Sequence, residues 1–218
     1  MRHEGLRKEV ANVGRKIDDL GLVEFTSGNV SVRDADTGEI AISPTSIEYD
    51  RIHAADVLVI DARGEILEGV HGTSAETPMH CGIYARRPDV GAIVHTHSRW
   101  ATTFAVLDRE IPAVHYVISS IGDSVRVAPY ATFGSEELAD GVARELGEDN
   151  ALLLKNHGVI AVGGDLRSAL KNAIRVEFLA EVYWKSSMLG EPSILTPQDI
   201  ADTREQSAAK KLQSGVTH

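Results

Sequence analysis

The residues of this 218-residue chain best suited to metal binding or proton transfer are its nine histidines. His95 and His97 stand two apart, directly after the apolar run Ala92-Ile93-Val94. In a strand, residues i and i+2 share a face, so the two imidazoles would sit side by side at a strand end. That is half of a metal site or a pair of hydrogen-bonded histidines, and the spacing leaves both readings open. His157, in Lys155-Asn156-His157-Gly158, is a third candidate ligand or simply part of a hairpin turn. Glu76 offers a carboxylate, but Thr73-Ser74-Ala75-Glu76 also fits a capping box, in which the glutamate only closes a helix terminus. His80, four residues on and on the same helix face, competes as a ligand. Cys81, the single cysteine, reads as a small buried residue, since nothing marks a paired base. Lys155 is the best candidate for a Schiff-base amine, with a lysine snorkelling at a strand end as the plainer reading.

The elements that must position these groups are legible as a pattern. Leu6, Val10, Val13, Ile17 and Leu20 form the apolar stripe of a first helix, stopped by Gly21. Val30 and Val32 alternate with polar residues, and Asp36-Thr37-Gly38 turns the chain back, so a hairpin follows. Strands are expected at Val57 to Asp61 and, after Arg63-Gly64, at Glu65 to Glu68. A helix is expected from Thr73 to Arg87, ended by Pro88, then a buried strand from Ala92 to Thr96. Ser98 can cap a helix through Trp100, Phe104 and Leu107, whereas IPAVHYVISS fits strand or helix equally. Ser135 to Leu146 reads as a helix with an acidic first turn. Two strands, Ala151 to Lys155 and Val159 to Val162, flank His157. Asp165 opens the longest helix, with Leu166, Leu170, Ile174 and Phe178 at steps of four and Gly190 as its stop. Thr196-Pro197 starts a last polar helix. No repeat or linker divides the chain, so residues 1–212 read as one α/β domain and 213–218 as a frayed tail.

Composition narrows the function classes. Thirty-two acidic against 22 basic residues leave a formal charge of −10, which argues against a nucleic-acid partner. No apolar run reaches the ~18 residues of a membrane span. The N-terminus, MRHEGLRKEV, lacks a secretory signal, and one cysteine fits a reducing cytoplasm.

Seven segments then occur in order: FTSGNVSVR, AISPTSIEY, TSAETPMH, AIVHTHS, IPAVHY, APYATFG and LLLKNHGVIA. Together, over nearly all of residues 6–190, they resemble the class II sugar-phosphate aldolases of the L-fuculose-1-phosphate aldolase type. The resemblance implies a three-layer α/β/α fold with a central, largely antiparallel sheet flanked by helices. It makes His95, His97 and His157 zinc ligands, and Glu76 both a metal contact and the proton-transfer residue. Three imidazoles and a carboxylate suit Zn²⁺, with Mn²⁺ or Co²⁺ as substitutes, rather than Mg²⁺. His80 is left to support or packing. Gly28, Asn29, Thr45, Ser46, Ser74 and Ala75 match the family's phosphate loops, where small residues let backbone amides approach an anion. Ser74 is expected where a helix N-terminus aims its amides at the phosphate. Tyr116 matches a general acid that acts on the aldehyde oxygen from across a subunit interface, and Phe133 an aromatic of the aldehyde pocket.

The implied reaction is reversible cleavage of a ketose 1-phosphate to dihydroxyacetone phosphate and an aldehyde. A metal chelated by the substrate stabilises the negative charge left by the broken carbon–carbon bond. The phosphorylated sugar is the expected partner, and the expected assembly is a homotetramer with sites between subunits. Two departures stand out: the family commonly has serine in place of Ala75 and glycine in place of Ser46. The tail after Tyr183 also lacks the tyrosine that places the aldehyde in fuculose-type enzymes. Losing one hydroxyl bond to phosphate costs ~1–3 kcal/mol of binding. L-fuculose 1-phosphate and deoxy or 5-modified pentulose 1-phosphates are therefore both expected substrates. A 4-epimerase acting on L-ribulose 5-phosphate, a sugar-phosphate dehydratase and a non-catalytic adducin-head-like module are the alternatives. The epimerases typically carry an aspartate in place of Glu76.

Overall fold

The computed structural model describes residues 1–213. Its centre is one eight-stranded sheet: β1 (Asn29–Arg33), β2 (Ile40–Ile42), β3 (Leu58–Ile60), β4 (Ile66–Glu68), β5 (Ala92–Thr96), β6 (Val127–Ala128), β7 (Ala151–Leu154) and β8 (Gly158–Gly163). The spatial order is β4-β3-β2-β1-β5-β8-β7-β6. Every neighbouring pair is antiparallel except β6 with β7. The helices are α1 (Glu4–Asp19), α2 (Thr77–Arg86), α3 (Arg99–Val106), α4 (Glu136–Glu145), α5 (Leu166–Leu189) and α6 (Pro197–Gln213).

Alternation along the strands builds two cores. Ala92 and Val94 of β5, with Val159 and Ala161 of β8, join the cluster that holds Val10, Phe104 and Val176. Ile93, Ile160 and Val162 point the other way, into the cluster of Ile83, Leu138 and Val142. The sheet thus carries α1, α3 and α5 on one face and α2 and α4 on the other, the three layers expected. A sheet covered on both faces needs strands apolar on both sides, and Ala151 to Leu154 is apolar throughout.

Several expectations need correction. The helix expected from Thr73 begins at Thr77, with Glu76 as its N-cap residue. IPAVHYVISS is neither strand nor α-helix: Ile111 makes a single bridge to Val125, and Tyr116–Ser120 is a 3-10 turn. The long helix α5 buries Leu166, Ala169, Ala173, Val176 and Ala180, while Ile174 and Phe178 are about 40% exposed. Steps of four overshoot the 3.6-residue turn by about 40° each, so an unbroken run of them drifts off the buried face. Steps of three and four in alternation hold it. Of the expected frayed tail 213–218, Gln213 closes α6 and residues 214–218 lie outside the described residues.

Candidate active site

The sheet centre brings the three histidines together. His95 is the fourth residue of β5, flanked by Asn29 of β1 and Ile160 of β8. His97 lies just past the strand end, and His157 sits in the three-residue loop joining β7 to β8. Two glycines make this geometry possible. A Cβ on Gly158 would stand 2.3 Å from the Thr96 carbonyl oxygen and 2.9 Å from the His97 ring. Gly28, at φ +75°, would put a Cβ 2.6 Å from the His95 carbonyl oxygen. Both contacts are shorter than any carbon–oxygen approach allows, so only glycine lets these segments close over the strand end.

One ligand nitrogen from each of His95, His97 and His157 lies within 4.8 Å of the others. The rings meet edge to face, with centroids 4.9–5.0 Å apart. His95 Nδ1 is 2.8 Å from the Val159 carbonyl oxygen. A carbonyl only accepts, so Nδ1 carries the hydrogen and Nε2 faces the cluster, the arrangement that orients a metal-binding imidazole. The Glu76 carboxylate closes the fourth side, with Oε1 2.8 Å from His157 Nε2 and Oε2 3.3 Å from His95 Nε2. The capping box is not formed. Ser74 Oγ accepts from the Glu76 amide at 3.2 Å, and the glutamate side chain caps nothing. It turns to the histidines instead. The donor set of three imidazole nitrogens and one carboxylate is that of a transition-metal site.

Charge in the cluster is strongly coupled. Burial alone would push the Glu76 pKa up, but the His95 and His157 imidazoles outweigh it and hold the carboxyl well below the usual carboxylate range. Burial opposes charge on His95, and Glu76 overcomes this and raises it. Burial and the neighbouring His95 and His157 push His97 down to about 3. His80 is fully buried and is likewise pushed down to about 3. It is bonded away from the cluster, to Asn29 and Ser31.

A cleft of about 410 Å³ opens over Glu76, His97 and His157. Gly28, Asn29, Thr45, Ser74, Ala75 and Phe133 line it, six of the residues singled out from the sequence. Ser46 does not line it, although its Oγ is 3.3 Å from Thr45 Oγ1. Its φ of +62° is the left-handed conformation for which glycine is the usual choice. Because α2 starts at Thr77, Ser74 and Ala75 belong to the loop before the cap, and Ser74 is not the first residue of the helix. Phe133 is exposed at the cleft and is not a core residue. Tyr116 is outside the cleft of its own chain, 60% exposed and packed on His115. Lys155 points elsewhere and pairs with Asp108 at 2.5 Å. Burial pushes the Cys81 thiol up to about 11, which suits a packing role.

Sequence reasoning passed over Thr26, Ser27, Tyr130 and Asn156, which also line the cleft. All four lie inside those seven segments, within three residues of Gly28, Phe133 or His157. Asn156 takes a left-handed φ of +56°, the conformation a turn asparagine supplies just before His157.

This fold and site define a class: an α/β protein with a mostly antiparallel sheet and a His₃–carboxylate cluster in a cleft lined by small polar residues. Residues 8–184 match the Class II Aldolase and Adducin N-terminal domain, and the chain belongs to that family as a class II aldolase, a lyase. A 5-deoxy-D-ribulose 1-phosphate aldolase of Bacillus thuringiensis is 39% identical over 207 residues, covering 95% of each chain. An L-fuculose phosphate aldolase of Escherichia coli is 38% identical over 208 residues, covering 94% of this chain and 95% of that one. A solved L-fuculose 1-phosphate aldolase superposes with a TM-score of 0.92 at 35% identity, covering 95% of this chain and 98% of that one.

Proposed function

We propose that this chain catalyses zinc-dependent, reversible cleavage of a ketose 1-phosphate to dihydroxyacetone phosphate and an aldehyde. The observation that carries the reading is the convergence of Glu76 with His95, His97 and His157 at the floor of a cleft lined by Gly28, Asn29, Thr45 and Ser74. His95, His97, His157 and Glu76 would hold the metal. When bound, it supplies Lewis-acid stabilisation of the negative charge left on the three-carbon fragment. Relatives named for both fuculose and deoxyribulose or methylthioribulose phosphates support the reaction class. Tyr130, Ala131 and Phe133 give the cleft an apolar and aromatic patch, which suits a deoxy or otherwise modified aldehyde end.

The protein groups move the protons. In the synthetic direction Glu76 takes a proton from the carbon of dihydroxyacetone phosphate that will bond to the aldehyde. As that bond forms, Tyr116 of a neighbouring subunit donates its phenolic proton to the aldehyde oxygen. In cleavage both transfers run backwards. Thr45, Ser74 and the backbone around Gly28 and Ala75 bind the phosphate, with Ser46 backing Thr45. Sites completed across subunits require an oligomer, and a cytoplasmic homotetramer is the assembly proposed.

A coupled assay for dihydroxyacetone phosphate tests this. L-fuculose 1-phosphate, 5-deoxyribulose 1-phosphate and 5-methylthioribulose 1-phosphate are supplied, with and without chelator. Turnover that chelator abolishes and zinc restores is the expected result. Conversion of L-ribulose 5-phosphate without aldehyde release, or turnover indifferent to chelator, would overturn it.

A further inference from the structure

Behind Glu76 lies a row of buried polar groups to which catalysis as proposed assigns no task. Glu76, His80 and Tyr84 recur every four residues, so they form one stripe on α2 and its cap. Facing them, Asn29 and Ser31 are the buried polar positions of β1, whose Val30 and Val32 point into the other core. The two stripes interlock. Asn29 Nδ2 is 2.8 Å from Glu76 Oε2 and 3.3 Å from Ser74 Oγ. Asn29 Oδ1 meets His80 Nε2. His80 Nδ1 is 2.7 Å from Ser31 Oγ, which is 2.8 Å from the Tyr84 hydroxyl. Asn29, Ser31, His80 and Tyr84 are all buried.

The direction of every bond follows from its neighbour. An ionised carboxylate only accepts, so the Asn29 NH₂ must face Glu76 and its carbonyl must face His80. His80 therefore carries its hydrogen on Nε2. Fully buried, and with no carboxylate against its ring, it is neutral, so Nδ1 accepts from Ser31. Ser31 has then spent its one hydrogen, and the Tyr84 hydroxyl donates to it. The result is a one-way chain of donors, Tyr84 to Ser31 to His80 to Asn29 to Glu76.

We infer that His80 is a positioning residue for Glu76: by donating to Asn29 Oδ1 it locks the amide with its NH₂ toward the glutamate. A flipped amide would set oxygen against oxygen at Glu76 and drive the carboxylate from its place. His80 does this without touching metal or substrate, and Ser31 and Tyr84 fix the tautomer that allows it. The inference rests on the role proposed above for Glu76.

Three measurements on the full chain test it: the ¹⁵N shifts of the His80 ring without added metal, zinc affinity by chelator competition, and kcat and KM. His80→Gln keeps a donor near the Nε2 position, and His80→Leu keeps bulk without a donor. The expected ring is the neutral Nε2–H tautomer. His80→Leu should lose about 10–100-fold in kcat or zinc affinity, the usual cost of losing a group that orients a ligand, with KM less affected. His80→Gln should recover most of that loss. If His80→Leu does not fold, Ser31→Ala should shift the tautomer balance and lower kcat in the same direction. Equal activity and zinc affinity in the Gln and Leu variants, or an Nδ1–H tautomer, would overturn the inference. Wild-type turnover and zinc binding test the aldolase reading separately, while the ring shifts decide the donor chain whatever their outcome.

Discussion

Glu76 shows how far one residue can be read from its neighbours in sequence. Its local pattern fits a capping box equally well, and only the three histidines, gathered from two strand ends, decide what it does. Ser74 Oγ accepts from the Glu76 amide, while the Glu76 carboxylate accepts from Asn29 and faces His95 and His157 in place of a helix terminus. Glu76→Gln should keep its zinc, because three imidazoles remain, yet lose about 100-fold or more in kcat. Metal content and turnover on the same sample check this, and near-normal cleavage by the zinc-loaded variant would remove Glu76 from its proton-transfer role. His80 was visible only as a histidine on the same helix face, because its partners Asn29 and Ser31 lie 51 and 49 residues away. It carries a pH prediction of its own. Its folded value near 3 lies below the ordinary 6.5. Between those values the unfolded chain binds a proton that the folded chain does not, so stability falls as pH drops through that window. From pH 7 to pH 5 this one group should cost about 2 kcal/mol. Urea unfolding with chelator at both pH values, wild type against His80→Gln, reads the difference. An identical pH response would show that His80 titrates normally.

At the scale of elements, periodicity was a good guide wherever one face of a segment meets the core. It located α1, the β1–β2 hairpin, β5, β7 and β8 to within a residue or two. The start of α2 was placed four residues early, because Thr73-Ser74-Ala75-Glu76 fits a capping box while in the fold it is a loop lining the cleft. Both ends of α5, at Asp165 and Gly190, were placed correctly, but not its buried face, because Ala169, Ala173 and Ala180 make a face that hydrophobicity alone does not single out. IPAVHYVISS had no periodicity to read, and its 3-10 turn is fixed by tertiary contacts of His115 and Ile118. Two glycines separate element stability from site geometry. Gly141, in the middle of α4, has nothing within 4 Å of a new Cβ. Gly141→Ala should therefore stabilise by about 0.5–1 kcal/mol and leave turnover unchanged. Gly158→Ala forces a Cβ onto the Thr96 carbonyl and the His97 ring. It should cost about 1–3 kcal/mol by overpacking, and zinc binding as well. Thermal melts and metal analysis of both variants test the contrast, and a Gly158→Ala protein with full zinc would show that the β5 end tolerates displacement.

For the whole molecule, an acidic chain that handles a phosphorylated sugar presents no contradiction if the anion is met locally. Backbone amides near Gly28 and Ala75 and a bound cation would set the field in the cleft, while the net charge of −10 governs solubility. A second feature concerns assembly. Tyr116 is 60% exposed and lies outside its own cleft, beside His115, whose ring meets Phe178 edge to face at 5.2 Å. Ile174, one turn back on α5, is partly exposed on the same helix. The drifting apolar stripe of α5 thus ends on the surface that carries Tyr116. A neighbouring subunit seated there would bury the stripe and bring the phenol to a second cleft. That predicts complementation between two inactive proteins. Glu76→Gln and Tyr116→Phe should each be nearly inactive alone. Mixed and allowed to exchange subunits, they should form hybrids in which an intact Glu76 on one chain meets an intact Tyr116 on another. Part of the wild-type kcat should return, at unchanged KM, over the time that subunits exchange. If activity stays at the sum of the two parents while exchange is seen by mass, Tyr116 does not act across the interface.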